Sequence, residues 1–325
     1  MVELARYSFH LPNPLRRGEG TGPSVEAFLG TRSQETSGTR PLKEGSPPMD
    51  LAFWGFRHWP FERSASGDRS FVGTAQEEAF ARLLFLVEER RRCGLLSGAA
   101  GTGKSCLLRQ VQTSATRLGR LCVRVDAVGL GDNELAWRVA DGCQADCDAD
   151  DSPAKLWSRL QTRFAGLAIV QQPVVALIDH FDLVEFGCSQ TLGRLMQLSD
   201  TTGTKLTVLI AARERCTAPL LLDAVELHVE LSAWSVDETA RFLWDSLRRA
   251  GSCESIFTAD AIQTIHALTH GNPSKVVWLC DLALLAAMSE DRRRVDSQIV
   301  EAAAMELSPR SLPRPVRRST AMSLM

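Results

Sequence analysis

The run Gly98-Ala99-Ala100-Gly101-Thr102-Gly103-Lys104-Ser105 has the G-x4-G-K-S spacing of a Walker A phosphate loop. Glycines at 98, 101 and 103 let successive backbone N–H groups turn inward around a polyphosphate, and a following helix adds the partial positive charge of its N-terminus. Lys104 brings a full charge to the outer phosphates. The Ser105 hydroxyl can ligate Mg²⁺ that bridges phosphate oxygens. The expected ligand is therefore ATP with Mg²⁺, held by Gly98, Ala99, Ala100, Gly101, Thr102, Gly103, Lys104 and Ser105.

Such a site needs an acidic residue at the tip of a neighbouring strand to hold the magnesium and its water shell. Val174-Val175-Ala176-Leu177-Ile178-Asp179 supplies one, making Asp179 the Walker B candidate and, with Ser105, the metal-site pair. His180 follows it. Imidazole can accept a proton near neutral pH, its reference pKa being about 6.5, although it is shorter and differently directed than a carboxylate. Asp182 is a second candidate for the catalytic role, and a surface position at a strand exit is the plainer reading of both.

The elements that must position these residues follow from the apolar pattern. Thr74-Ala75-Gln76-Glu77 reads as a capping box opening a helix whose face carries Phe80, Leu83, Leu84 and Val87. A strand over 93–97, the glycine loop and a helix over 104–118 give the order a phosphate loop requires. Further strands are expected over 121–125, 174–178, 206–211 and 225–231, mostly separated by helices. The fold class is α/β, a three-layer P-loop NTPase core with a parallel five-stranded sheet, followed by an all-α lid subdomain. In the lid, Ser235-Val236-Asp237-Glu238 is a capping box, Thr258 can cap a helix, and Asn272-Pro273 sets a cap before a first-turn proline.

The expected division is a disordered arm over 1–48, a nucleotide-binding domain over 49–232, the lid over 233–307 and a loose basic tail over 308–325. Met49 stands where the compact sequence begins and is a candidate start. The chain has 325 residues, 44% hydrophobic and 23% charged, with net charge −2, an ordinary soluble composition that names no partner. Its nine cysteines are scattered without zinc-ligand spacing and read as reduced thiols. No apolar run sits behind a basic start, and none reaches the ~18 residues of a membrane span, so a cytoplasmic location is expected.

Phe53-Trp54-Gly55-Phe56 with Pro60-Phe61, the two Walker motifs, and Gly271-Asn272-Pro273-Ser274-Lys275 with the helix after it resemble the ExeA/GspA-like branch of AAA+ ATPases, over about residues 53–307. Transposition helper and origin-recognition-type ATPases are its relatives. The resemblance implies an ATP-controlled switch with an unknown protein client, and an assembly in which a neighbouring subunit contributes an arginine to the site. Three departures fall where the γ-phosphate would be sensed or attacked. His180 replaces the Walker B glutamate. The fourth strand runs out as Ala211-Ala212-Arg213 without a polar sensor 1, leaving Arg213 as substitute. Ser274 occupies the sensor 2 arginine position, with Lys275 beside it. Slow hydrolysis, a non-hydrolysing ATP or ADP sensor, and a DNA-associated helper all remain open, the last supported only by Arg90-Arg91-Arg92, Arg292-Arg293-Arg294 and the tail.

Overall fold

In the computed structural model of the chain, five strands form one parallel sheet: β1 (Cys93–Gly98), β2 (Leu121–Asp126), β3 (Val174–Asp179), β4 (Leu206–Ala211) and β5 (Leu227–Leu231). Their spatial order is β2-β3-β4-β1-β5. The structure describes residues 51–61, 73–185, 187–213, 223–252 and 255–306. The expected arm over 1–48 and tail over 308–325 lie outside these. Strands β1, β3 and β4 are interior to the sheet and buried at every position, which is why they read as continuous apolar runs. Strands β2 and β5 are the edges, and each has an alternating exposed position. The expected parallel five-stranded α/β core is thus what the chain forms. Strand β5 starts two residues later than its apolar pattern suggested; just before it, the Glu226 N–H donates to Cys93 O and its carboxylate accepts from the Arg92 N–H.

The helices complete three layers. After a single turn, α1 (Leu51–Trp54), helices α2 (Thr74–Glu88) and α3 (Lys104–Arg117) cover one face, packing Leu83, Leu108 and Val111 on Leu96, Leu177 and Leu209. On the other face α4 (Asp132–Gly142), α5 (Pro153–Ile169) and α6 (Cys188–Thr202) pack Leu135, Phe164 and Leu192 on Val123, Ala176 and Val208. A helical region follows the sheet: α7 (Val236–Ala250), α8 (Ala259–Thr269), α9 (Pro273–Ser289) and α10 (Ser297–Glu306). Its caps form as the sequence implied. Ser235 and Glu238 close a reciprocal capping box on α7, Thr258 accepts from the Ala261 N–H, and Asn272 accepts from the Lys275 N–H before Pro273.

Two features depart from the sequence reading. Thr74 does not cap α2: Gly73 is the N-cap and makes no side-chain bond, while the Thr74 hydroxyl and N–H both donate to Glu238 Oε1, at 2.7 and 2.9 Å. The lid carboxylate thus caps a core helix. The aromatic segment 51–61 joins the lid core, with Trp54, Phe56, Trp59 and Phe61 buried among Phe242, Val276 and Leu284. The Trp59 indole N–H donates to Asp281, and the Arg57 N–H to Ala250 O at 2.7 Å, so this strap is stitched to α7 and α9.

Four thiols, Cys93, Cys143, Cys188 and Cys280, are buried. Burial pushes Cys93 and Cys143 up to about 12, and Cys280 well above its ordinary value, so these stay protonated and behave as core hydrophobes. Among the described residues, no helix is long and apolar enough to cross a membrane.

Candidate nucleotide site

Parallel strands bring the ends of β1 and β3 to the same end of the sheet, where chain termini of strands and the start of α3 converge. The loop between β1 and α3 has Gly98, Gly101 and Gly103 at positive φ (148°, 84° and 100°), backbone that L side chains rarely adopt. Thr102 closes a turn inside it, its N–H and hydroxyl both donating to Ala99 O. Lys104 is buried, and its ammonium donates to Gly98 O at 2.7 Å and Ala99 O at 2.9 Å. The cation is therefore folded over the loop, beside the first-turn N–H groups of α3. Ser105, one residue on, has no side-chain hydrogen bond of its own among the described residues.

Asp179 closes β3, 5% exposed, and its Oδ1 accepts from the His180 N–H at 3.0 Å. No hydrogen-bond partner for Oδ2 occurs among the described residues. A buried carboxylate with one uncommitted oxygen suits a hydrated cation, and it and the Ser105 hydroxyl are both hard oxygen donors of the kind Mg²⁺ takes.

His180 adopts a left-handed backbone, φ 53° and ψ 38°, which costs a non-glycine residue on the order of 1 kcal/mol. That conformation sends the chain into a 3-10 turn over Phe181–Leu183. The His180 Nδ1 lies 2.9 Å from Asp126 Oδ1, and Asp126 sits directly opposite Asp179 in the register of β2 and β3. The sequence reading missed Asp126. Its signal was present: Leu121-Cys122-Val123-Arg124-Val125-Asp126 ends in aspartate as Val174–Asp179 does, and adjacent parallel strands align their tips.

The other two catalytic candidates engage each other. Asp182 accepts from the Arg213 N–H at 3.2 Å and pairs with its Nε at 3.1 Å, so both oxygens clamp the segment leaving β4. Ala212, just past β4, still donates its N–H to Leu96 O. Lys275 lies in the first turn of α9, its N–H on Asn272.

The lid meets the loop directly. The Asn272 Nδ2 donates to Ala100 O at 2.8 Å and the Ser274 N–H to Gly101 O at 3.2 Å. A Cβ at Gly101 would stand 2.6 Å from Asn272 Oδ1, so only glycine admits this approach. Further along the same junction, Glu238 binds Thr74 and Ser235. Burial works to raise the Glu238 carboxyl, but hydrogen bonds from the Ser235 and Thr74 N–H groups and the Thr74 hydroxyl outweigh it and hold it below its ordinary value.

The arginine triplets are largely spent within the fold. Arg91 and Arg92 pair with Glu226 and Asp200, Arg292 with Asp296, and Arg293 donates to Phe53 O while lying over the Phe53 ring.

A family profile described as an AAA domain matches residues 87–217, the stretch carrying the phosphate loop, Asp126, Asp179 and Arg213. The chain carries an AAA domain over these residues. This AAA domain protein is also a distant homologue of General secretion pathway protein A from Aeromonas hydrophila, 29% identical over 276 residues that cover 80% of the chain and 49% of that relative. The chain thus spans about half the length of the curated relative it matches. Among solved structures, the fold resembles Cdc6p from Pyrobaculum aerophilum (TM-score 0.62, 16% identical, 76% of this chain and 70% of that one). It also resembles Drosophila ORC bound to DNA (0.62, 17%, 83% and 70%) and the Aeropyrum pernix ORC2 protein in ADPNP–ADP complexes (0.61, 13%, 79% and 74%). At such identities the likeness is one of fold, the AAA+ P-loop fold with its C-terminal helical region.

Proposed function

We propose that the AAA domain protein binds ATP with Mg²⁺ and acts as a nucleotide-controlled switch, with slow hydrolysis returning it to its starting state. One observation carries this reading: the first turn of lid helix α9 is hydrogen-bonded to the carbonyls of Ala100 and Gly101 in the phosphate loop itself. The ammonium of Lys104 is held by Gly98 O and Ala99 O, immediately before those carbonyls. Polyphosphate competes for Lys104 as a charged acceptor, stronger than neutral carbonyls. Releasing Gly98 and Ala99 alters the loop segment on which Asn272 and Ser274 rest, and the lid responds.

In this reading the loop N–H groups and Lys104 hold the phosphates, Ser105 and Asp179 hold Mg²⁺, and Lys275 stands at the lid side. The bound cation would supply positive charge that screens the phosphates. With the His180 Nδ1–H donated to Asp126, Nε2 is left to accept a proton from an attacking water, and Asp126 fixes the ring. Arg213 is oriented by Asp182 rather than acting alone. The ADPNP–ADP complexes of the ORC2 neighbour agree with adenine nucleotides as the ligand. The A. hydrophila relative is named for a general secretion pathway, but half its length has no counterpart here, so what is carried over is the ATP module. Hydrogen exchange of the α9 N-terminal amides with and without Mg²⁺-ATP tests the switch. Protection that changes on adding nucleotide supports it, and identical exchange at saturation refutes it.

A further inference from the structure

At the end of the sheet opposite the phosphate loop, three short connections feed the adjacent strands β2, β3 and β4: residues 118–120, 170–173 and 203–205. Hydrogen bonds join them into one surface: Gln172 Nε2 donates to Gly119 O at 2.6 Å, the Leu121 N–H to Pro173 O and the Val174 N–H to Lys205 O. On it stand three aliphatic side chains left in water, Ile169 at 82% exposure, Val170 at 69% and Leu118 at 45%. Every charged residue in or bordering these connections at 117–121, 169–174 and 203–206 is a cation: Arg117, Arg120 and Lys205. Among the described residues neither Arg120 nor Lys205 makes an ion pair; Lys205 is exposed, whereas Arg120 is half-buried, its Nε enclosed without a hydrogen-bond partner. The nearest strand further along, β1, is different, since Arg91 and Arg92 before it are matched by Glu226 and Asp200. Positive charge thus accompanies the apolar end of β2 to β4 with no anion in these connections, in a chain whose net charge is −2.

We propose that this basic, aliphatic end of the sheet docks on an anionic phospholipid surface. The side chains project from a helix end and turns instead of lining a groove, and they include no aromatic anchor of the kind that dominates protein interfaces. Protruding aliphatics ringed by cations fit the headgroup and acyl boundary, where the apolar tips leave water and the cations meet phosphate. Docked there, the protein leaves its phosphate loop and lid facing away from the membrane, free to take up nucleotide.

The test is co-sedimentation of the full chain with vesicles of phosphatidylcholine alone or mixed with phosphatidylglycerol. Binding is expected only to the anionic vesicles and should fall as salt is raised. Ile169→Ser/Val170→Ser should lower the partition coefficient by more than about tenfold, and Lys205→Ser by about fivefold. Both variants alter exposed side chains, so their melting temperatures and Mg²⁺-ATP affinities should match the wild type and exclude misfolding. No binding to anionic vesicles at low salt overturns the proposal. So does binding that the Ile169→Ser/Val170→Ser variant retains in full, or capture of an acidic protein by this face without vesicle uptake.

Discussion

Asn272 does two jobs that one substitution can separate. Its Oδ1 caps α9 by accepting from the Lys275 N–H, and its Nδ2 donates to Ala100 O across the junction with the loop. Asn272→Asp keeps the first and removes the second. Aspartate caps helices about as well as asparagine, and its charge is favoured at a helix N-terminus, so overall stability should stay within about 0.5 kcal/mol of wild type. The lost bond is worth about 0.5–1.5 kcal/mol, and the new carboxylate faces the Ala100 carbonyl with no proton to share. The lid-on-loop arrangement should therefore weaken by about two- to tenfold. The Ser274 N–H, which donates to Gly101 O, is the reporter, because it is protected only while α9 rests on the loop. Its hydrogen exchange should quicken by that factor in Asn272→Asp, and further in Asn272→Ala, which also loses the cap. Unchanged Ser274 exchange alongside an unchanged melting temperature would refute the latch.

Three other outcomes follow from the same geometry. His180→Ala should lower phosphate release by at least about tenfold with Mg²⁺-ATP affinity held within about twofold, whereas His180→Glu should raise turnover, both read by a steady-state phosphate assay. The junction at Glu238 should be acid-sensitive: its folded carboxyl lies below the unfolded value of about 4.3, so its contribution is present above that pH and is lost as pH falls through the lower folded value. Melting curves between neutral and acid pH should show this loss in the wild type and a smaller one in Glu238→Gln. Phe164→Ala, at a fully buried ring between α5 and the sheet, should cost about 3–5 kcal/mol in denaturant unfolding without changing the site's chemistry.

What was legible in the sequence was local. The phosphate loop, β4 and the Ser235 and Asn272 caps each depend on residues within a few positions, where spacing alone carries the physics. Asp179 was legible because an acid ends a buried apolar strand. What escaped was pairing across the chain. Thr74 has a capping side chain, yet the helix takes Gly73 as its N-cap, and the Thr74 hydroxyl, now inside the first turn, donates to Glu238, 164 residues away. The aromatics of 51–61 precede the sheet in sequence but join the core of the C-terminal helices, a pairing across the chain that local spacing does not reveal. Asp126 looked like a strand end until the β2 and β3 register set it opposite Asp179, and the arginine triplets looked free until Asp200, Glu226 and Asp296 appeared beside them.

The central claim is that the loop from Gly98 to Ser105 holds ATP through Lys104, and titration calorimetry of Mg²⁺-ATP into wild type and Lys104→Ala tests it most directly. Removing the ammonium takes away charge-assisted hydrogen bonds of about 1.5–3 kcal/mol, so affinity should drop by roughly tenfold to a hundredfold or more while the fold is retained. Wild-type protein that gives no binding heat, or a Lys104→Ala variant that binds as tightly as wild type, would contradict the account.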